Sequence, residues 1–158
     1  KMVKQVKIYD MDGVLVDSSW RYRTIIREDG KEVIDLPFWR MLENMSYADK
    51  LLPMAEQYKE DLQNPDVFVI IATARVLTPS CKWFIKNVLG QPNHIISLKA
   101  DDNQSGTTLK VKGLKKLFGL KQFQKAEKTM HEDNASYLKG ICDTLKIKGV
   151  YIPSIQGH

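Results

Sequence analysis

The chain has 158 residues, 43% of them hydrophobic, and it carries a formal net charge of +5. This length suffices for one hydrophobic core and is short for two, so we expect a single domain over residues 1–158 with no second catalytic module. The longest apolar run, Val67 to Ala72, is far too short to span a bilayer, and the charged N-terminus carries no apolar targeting segment. The composition therefore predicts a cytoplasmic protein without a membrane partner.

The first predicted element is a strand over Val3 to Tyr9, which leads directly into Asp10-Met11-Asp12-Gly13. Side chains at positions i and i+2 of an extended chain share a face, so Asp10 and Asp12 can approach the same atom. Gly13 allows a turn and a close approach of the backbone. This pair of acids indicates either catalysis or metal binding.

The next segment, residues 17–66, shows no clear strand signals, and we interpret about 18–50 as a small cap inserted into the domain. It interleaves aromatic residues with arginines, a mixture that can stack on bases and bind phosphates. We favour as substrate contacts the three residues that follow the Asp10 loop most directly: Trp20, Arg21 and Arg23. We expect three others to pack the cap onto the core: Phe38, Trp39 and Leu42.

Strands then alternate with helices to the end of the chain. Further strands are predicted at 67–72, 94–98, 128–132 and 150–152, and helices begin at Thr78 or Ser80, after the loop 99–107, and at Asn134. This alternation predicts an α/β fold: a Rossmann-like parallel sheet of about five strands with helices on both faces. Cys81 and Cys142 fall on buried helix faces, so we expect reduced core thiols.

Much of the positive charge lies in one segment, where seven lysines fall between Lys110 and Lys128 against the single acid Glu127. Such a basic segment attracts polyanionic partners, although a run of lysines taken alone is more often a solvated helix face.

Ligands of parallel α/β sheets bind beyond the carboxyl ends of the strands. That rule brings three stretches to one edge: Asp10-Met11-Asp12, Thr73-Ala74-Arg75 and Glu132-Asp133. With a lysine, these groups suit a phosphoryl group and Mg²⁺, because hard carboxylate oxygens bind Mg²⁺ and a carboxylate nucleophile can form an aspartyl-phosphate. Cations offset the repulsion between acid and phosphate, and a second acid handles the proton.

These motifs, in this order, resemble those of the haloacid dehalogenase-like hydrolases over nearly the whole chain. The resemblance implies that Asp10 is the nucleophile and a Mg²⁺ ligand. It implies that Asp12 is the general acid/base and lends its backbone carbonyl to the metal, and that Thr73 binds phosphoryl oxygens.

The resemblance also calls for a lysine and a further acidic motif. Thr108-Leu109-Lys110-Val111-Lys112 offers two lysines, of which we prefer Lys112 because related phosphatases place the lysine after an apolar residue in a similar run, with Lys110 as the runner-up. The family usually has two aspartates where this chain has Glu132-Asp133. We assign the metal chiefly to Asp133, with Glu132 as a second candidate.

Several stretches are similar, more narrowly, to the 3′-phosphatase domain of phage polynucleotide kinase/phosphatases and to the related domain of RNA-repair proteins: 52–54, 71–75, 82–84 and 130–133. This likeness implies that Arg75 binds a nucleotide phosphate, and it places the protein in the host cytoplasm if the chain is phage-encoded. The kinase half is absent, since the sequence has no Gly-x-x-x-x-Gly-Lys-Ser/Thr loop. Asn134 stands where that group often has an arginine.

The leading hypothesis is a Mg²⁺-dependent phosphatase that acts on a nucleotide or on a nucleic-acid 3′ end through an aspartyl-phosphate. A small cap leaves the site open enough for a polymer end. The alternatives are a 5′(3′)-nucleotidase acting on free mononucleotides and a non-catalytic nucleic-acid-binding module on the same scaffold. The sequence leaves open the choice of DNA or RNA and the oligomeric state.

Overall fold

The computed structural model describes residues 2–154. The strands, in chain order, are β1 (Gln5–Tyr9), β2 (Val16–Asp17), β3 (Thr24–Ile26), β4 (Glu32–Ile34), β5 (Lys50–Leu51), β6 (Val67–Val76), β7 (His94–Leu98), β8 (Glu127–Glu132) and β9 (Lys148–Tyr151). The α-helices are α1 (Leu36–Met41), α2 (Met54–Gln63), α3 (Pro79–Phe84), α4 (Gly106–Phe118) and α5 (Ala135–Leu145).

Five strands form one parallel sheet in the order β7-β6-β1-β8-β9, so β1 is the central strand. Adjacent residues of β1 point to opposite faces. Tyr9 packs in the core beneath α2 and α3, and Ile8 packs in the core beneath α4 and α5. The predicted five-stranded parallel sheet with helices on both faces is confirmed.

Strand β6 is longer than the sequence predicted. It continues past Ala72 through Thr73, Ala74 and Arg75 to Val76, and its pairing with β7 shifts register between Ala72 and Val76. Thr73 and Arg75, which we expected just after this strand, therefore lie among its last residues, at the carboxyl edge of the sheet.

Side-chain caps begin the three helices that lead away from this edge. Thr78, rather than Ser80, caps α3 by accepting the Cys81 amide at 3.2 Å, and Asn134 caps α5. Ser105 caps α4 through the Thr108 amide at 3.2 Å. Each such cap contributes about 1 kcal/mol to the stability of its helix. The caps therefore fix the residues at which the loops at this edge end and the helices begin.

The cap contains a hairpin that the sequence analysis missed. Strands β3 and β4 pair antiparallel around a turn that holds Gly30 at φ +81°. At the base of the cap, β2 pairs antiparallel with β5, with Val16 opposite Leu51. The chain thus enters and leaves the cap side by side.

Both cysteines have free thiols, with Cys81 buried and Cys142 half-buried. Within residues 2–154, no helix is long and apolar enough to cross a membrane.

Candidate active site

A cavity of about 540 Å³ lies at the carboxyl edge of the sheet, beneath the cap. Four acids line it: Asp10, Asp12, Glu132 and Asp133. Lys110 and Arg75 supply positive charge, and the aromatic side chains of the wall are those of Tyr22, Trp39 and Tyr137. The stretches that the sequence predicted to converge here do so, because their strands β1, β6 and β8 are neighbours.

Asp10 lies directly after β1, where its amide donates to the His131 carbonyl at 3.0 Å. Its Oδ1 accepts the Met11 amide at 2.9 Å and the Lys110 ammonium at 3.0 Å. Burial and the nearby Glu132 carboxylate raise the pKa of Asp10 to about 8, although Lys110 opposes the shift. The excess of negative charge around Asp10 makes this a site that attracts a cation.

The structure brings Lys110, not Lys112, to Asp10, which corrects our preference between the two lysines. The Lys110 Nζ lies 3.0 Å from Asp10 Oδ1 and 2.9 Å from Glu132 Oε1, and the residue is 2% exposed. Burial alone would lower the pKa of Lys110, but these two carboxylates raise it above its ordinary value. Lys112 is exposed, because residues two apart on a helix face different directions.

Glu132 is occupied at both carboxylate oxygens. Its Oε1 accepts Lys110, and its Oε2 accepts the amides of Asp133 at 3.0 Å and Asn134 at 3.4 Å. These contacts orient Lys110 and the loop after β8, so Asp133 rather than Glu132 is the better placed of the two to bind a metal.

The donor set fits a divalent cation. Asp10, Glu132 and Asp133 each offer a carboxylate oxygen, and these atoms lie within 4.8 Å of one another. Gly13 supports the same site, since a Cβ built on it would lie 2.1 Å from Asp133 Oδ2. Buried carboxylate oxygens in this arrangement are the hard ligands that Mg²⁺ prefers.

Asp12 is held by an arginine. Arg75 Nε lies 2.9 Å from Asp12 Oδ2 and Arg75 Nη2 lies 2.6 Å from Oδ1, which also accepts the Ser18 hydroxyl at 2.5 Å. Burial alone would raise the pKa of Asp12, but the Arg75 guanidinium lowers it to about 2. Arg75 thus fixes the position of the Asp12 carboxylate beside Asp10.

Arg75 and Thr73 lie at the end of the strand, as predicted. The hydrogen bonds of their side chains, however, go to other protein groups and not toward a phosphate site. The Arg75 guanidinium is directed at two carboxylates, those of Asp12 and Asp49, and the residue is 4% exposed. Thr73 is fully buried, and its hydroxyl accepts the Arg75 amide at 3.1 Å. Arg75 lines the cavity, whereas Thr73 is not among the described residues that do so.

The three substrate contacts predicted in the cap bind carboxylates instead. Arg21 is fully buried and pairs with Asp49 at 2.7 Å, and Trp20 donates to the same carboxylate at 2.8 Å. Arg23, which is exposed, pairs with the buried Asp35 at 2.6 Å within the cap. None of the three is among the described residues that line the cavity.

Unlike Trp20, Arg21 and Arg23, the cap residue Trp39 does lie at the cavity. We predicted that Phe38, Trp39 and Leu42 pack the cap onto the core, but all three are half-buried and none belongs to the core clusters of the described chain. Trp39 lines the cavity and meets the Tyr22 ring edge-on at 5.1 Å.

Three residues in or beside the site were not predicted from the sequence: Tyr22, Asp49 and Tyr137. A signal was available for Tyr137, which lies three residues after the cap of the helix that begins at the acidic motif. For Asp49, which lies 28 residues from Arg21 in the chain, no local pattern exists.

This fold and this arrangement of acids define a phosphatase of the haloacid dehalogenase-like class. The family model for bacteriophage T5 5′-deoxynucleotidase matches residues 1–148, and the chain belongs to that family. No curated protein matches the sequence.

Solved structures share the fold at low sequence identity. A chain of the Pnkp1/Rnl/Hen1 RNA repair complex has a TM-score of 0.65 at 14% identity over 96% of this chain, which spans 43% of that chain. The haloacid dehalogenase-like family protein SP0104 from Streptococcus pneumoniae has a TM-score of 0.64 at 15% identity, with 97% and 88% of the two chains covered. CbbY from Rhodobacter sphaeroides, solved with phosphate, has a TM-score of 0.64 at 12% identity, with 99% and 89% covered.

Proposed function

We propose that the chain is a Mg²⁺-dependent nucleotidase that removes the 5′-phosphate of deoxynucleoside 5′-monophosphates through an Asp10-phosphate. The observation that carries this proposal is the convergence of Asp10, Lys110 and the Glu132-Asp133 pair on one cavity. Membership of the T5 5′-deoxynucleotidase family supports the choice of substrate.

The residues divide the reaction into two displacements. An Asp10 oxygen attacks phosphorus, the bond from phosphorus to the 5′-oxygen breaks, and the leaving oxygen takes a proton from Asp12. Water then attacks the same phosphorus, gives a proton to Asp12 and releases Asp10 with inorganic phosphate. Asp12 thus loses one proton and regains one in each cycle.

Lys110 offsets the repulsion between Asp10 and the incoming phosphate. Its ammonium lies 3.0 Å from Asp10 and is held there by Glu132. A fixed positive charge in a water-poor site stabilises the charge that develops on the phosphoryl oxygens.

Asp10 and Asp133 would hold Mg²⁺, with Glu132 beside them and the Asp12 carbonyl as a further ligand. A bound Mg²⁺ would neutralise the carboxylates and polarise the phosphoryl group. The fit rests on the three clustered carboxylates and on the space that Gly13 leaves for Asp133.

The cavity suits a mononucleotide better than a polymer end. Its volume of about 540 Å³ lies within the range of small-molecule pockets. Tyr22, Trp39 and Tyr137 give it aromatic surface on which a base can stack. The exposed lysines after Lys110 supply the observation that favours a nucleic-acid 3′ end as the second candidate.

The test is phosphate release from deoxynucleoside 5′-monophosphates, ribonucleoside 5′-monophosphates and 3′-phosphorylated oligonucleotides, with Mg²⁺ and with EDTA. We expect the deoxynucleotides to react fastest and only with Mg²⁺. Asp10→Asn should reduce kcat by about a thousandfold or more, since the nucleophile is lost. Faster release from the oligonucleotide would favour the 3′-phosphatase, and oligonucleotide binding without turnover would favour the binding module.

A further inference from the structure

A buried network of charged side chains connects the cap to the loop after β1, which carries Asp12. Arg75 Nη2 donates both to Asp12 Oδ1 at 2.6 Å and to Asp49 Oδ2 at 3.0 Å. The second carboxylate also binds Arg21, through Nε at 2.9 Å and Nη2 at 2.7 Å. One guanidinium of the sheet is thus shared between the proton-handling acid and an acid of the cap.

Asp49 is the centre of this network. It follows the 3₁₀ turn at Glu43–Ala48, and its carboxylate is fully buried. Trp20 Nε1 completes its contacts at 2.8 Å. Burying two aspartates with two arginines is costly unless geometry is good, and breaking such a set leaves uncompensated charge. Asp49 thus contributes, together with Asp12, to holding the Arg75 guanidinium in place.

We propose that Asp49 is a positioning residue, which acts on the reaction through Arg75 by fixing the Asp12 carboxylate at the cavity. The role rests on the proposed function, since it presumes that Asp12 transfers the proton.

This role predicts an effect that depends on the leaving group. A nucleotide releases an alkoxide, which needs a proton from Asp12 as its bond to phosphorus breaks. p-Nitrophenyl phosphate releases a stable phenolate, which leaves without one. In single turnovers, Asp49→Asn should slow release of the deoxynucleoside by about tenfold or more and release of p-nitrophenol by less than about threefold. The second displacement, in which Asp12 takes the proton of water, is common to both substrates and is not measured in this way.

A double-variant cycle tests whether Asp49 acts through Asp12. If it does, Asp12→Asn/Asp49→Asn should be no slower on the nucleotide than Asp12→Asn alone. Additive losses would overturn the proposal. Equal slowing of leaving-group release from both substrates by Asp49→Asn would also overturn it, because a structural role slows the first displacement of both alike.

One further variant keeps the test decisive. Asp49→Asn leaves two buried arginines short of a partner, so it can fail to fold. Trp20→Phe removes only one hydrogen bond to Asp49 from a residue that is 46% exposed, and we expect about a threefold loss that is again confined to the nucleotide. A changed KM instead would show Trp20 to be a substrate contact and overturn the proposal.

Asp35→Asn is the matched control, because Asp35 pairs with Arg23 at 2.6 Å in the same cap. It should leave both activities unchanged, and a selective loss like that of Asp49→Asn would overturn the assignment. No nucleotide turnover by the parent chain would overturn the proposed function together with this role. Parent turnover with an unselective Asp49→Asn loss would overturn this role alone.

Discussion

Asp10 and Asp12 belong to one short motif, yet the pKa values of their carboxyl groups are shifted in opposite directions. Their side chains were predicted to share a face, and both line the cavity. Burial and Glu132 raise the pKa of Asp10 to about 8, whereas Arg75 lowers that of Asp12 to about 2. Sequence could identify the two acids, but their partners come from distant parts of the chain. The sequence therefore could not show which acid each cation meets.

Gly13 is the residue whose missing side chain leaves room for the Asp133 carboxylate. It has φ +81°, and a Cβ there would collide with the Asp133 carboxylate. Gly13→Ala should therefore displace Asp133, abolish the rise in Tm that Mg²⁺ gives the parent, and destabilise the metal-free fold. The backbone contribution to that destabilisation is about 1 kcal/mol. Thermal unfolding with EDTA and with Mg²⁺ measures both effects.

Gly30→Ala is the control, since Gly30 has the same φ of +81° but nothing within 4 Å of the added Cβ. It should show the backbone cost while keeping the full response to Mg²⁺. A normal Mg²⁺ response in Gly13→Ala would argue against Asp133 as a ligand.

At the scale of elements, helix α4 shows that the face on which a lysine lies decides whether it reaches the site. Leu109, Lys110 and Leu114 are buried, whereas Lys112 and Lys115 are exposed. Local spacing gave two candidate lysines, and only the packing of the helix against the sheet distinguishes them. The motif comparison favoured Lys112 because it considered the neighbouring residue types and not the face.

Substituting each lysine by methionine tests this assignment. Lys110→Met removes the ammonium beside Asp10 and should lower kcat by about a hundredfold or more. Lys112→Met removes an exposed charge and should change kcat by less than about twofold. Phosphate release measures both, with circular dichroism to show that each variant is folded. Comparable losses in the two variants would contradict the placement of Lys110.

The elements predicted best were those with long or continuous patterns. The apolar strand β6 and the capped helices α3 and α5 carry their signals locally, so their positions were predicted within a few residues. The hairpin of β3 and β4 was missed although Asp29-Gly30 is a turn signal between two runs of β-branched residues. The pairing of β2 with β5 joins residues more than 30 apart and has no local signal.

For the whole molecule, the charge network makes stability depend on pH in the acid range. The pKa of Asp12 is about 2 in the folded chain against an ordinary 3.8, so the unfolded state binds its proton first as the pH falls. Asp12 therefore stabilises the fold above about pH 4, and this contribution of about 2 kcal/mol is lost as the pH falls from about 4 to about 2.

Urea unfolding across this range, in the parent and in Asp12→Asn, measures the contribution. The difference in free energy of unfolding should shrink by about 2 kcal/mol toward low pH. Asp143→Asn serves as control, because Asp143 pairs with Lys139 on the surface, where such pairs contribute little. A difference that does not vary with pH would show that Asp12 and Arg75 are not paired as described.

The short ladder between β2 and β5 has a consequence for how this fold can vary. Val16 lies opposite Leu51 and Asp17 opposite Lys50, so the two ends of the cap segment are adjacent at the edge of the sheet. Segments whose ends are close tolerate insertion and replacement without disturbing the rest of the domain. A longer turn between β3 and β4 can thus change the size of ligand admitted, while Asp49, next to β5 at the end of the cap, keeps its contact with Arg75.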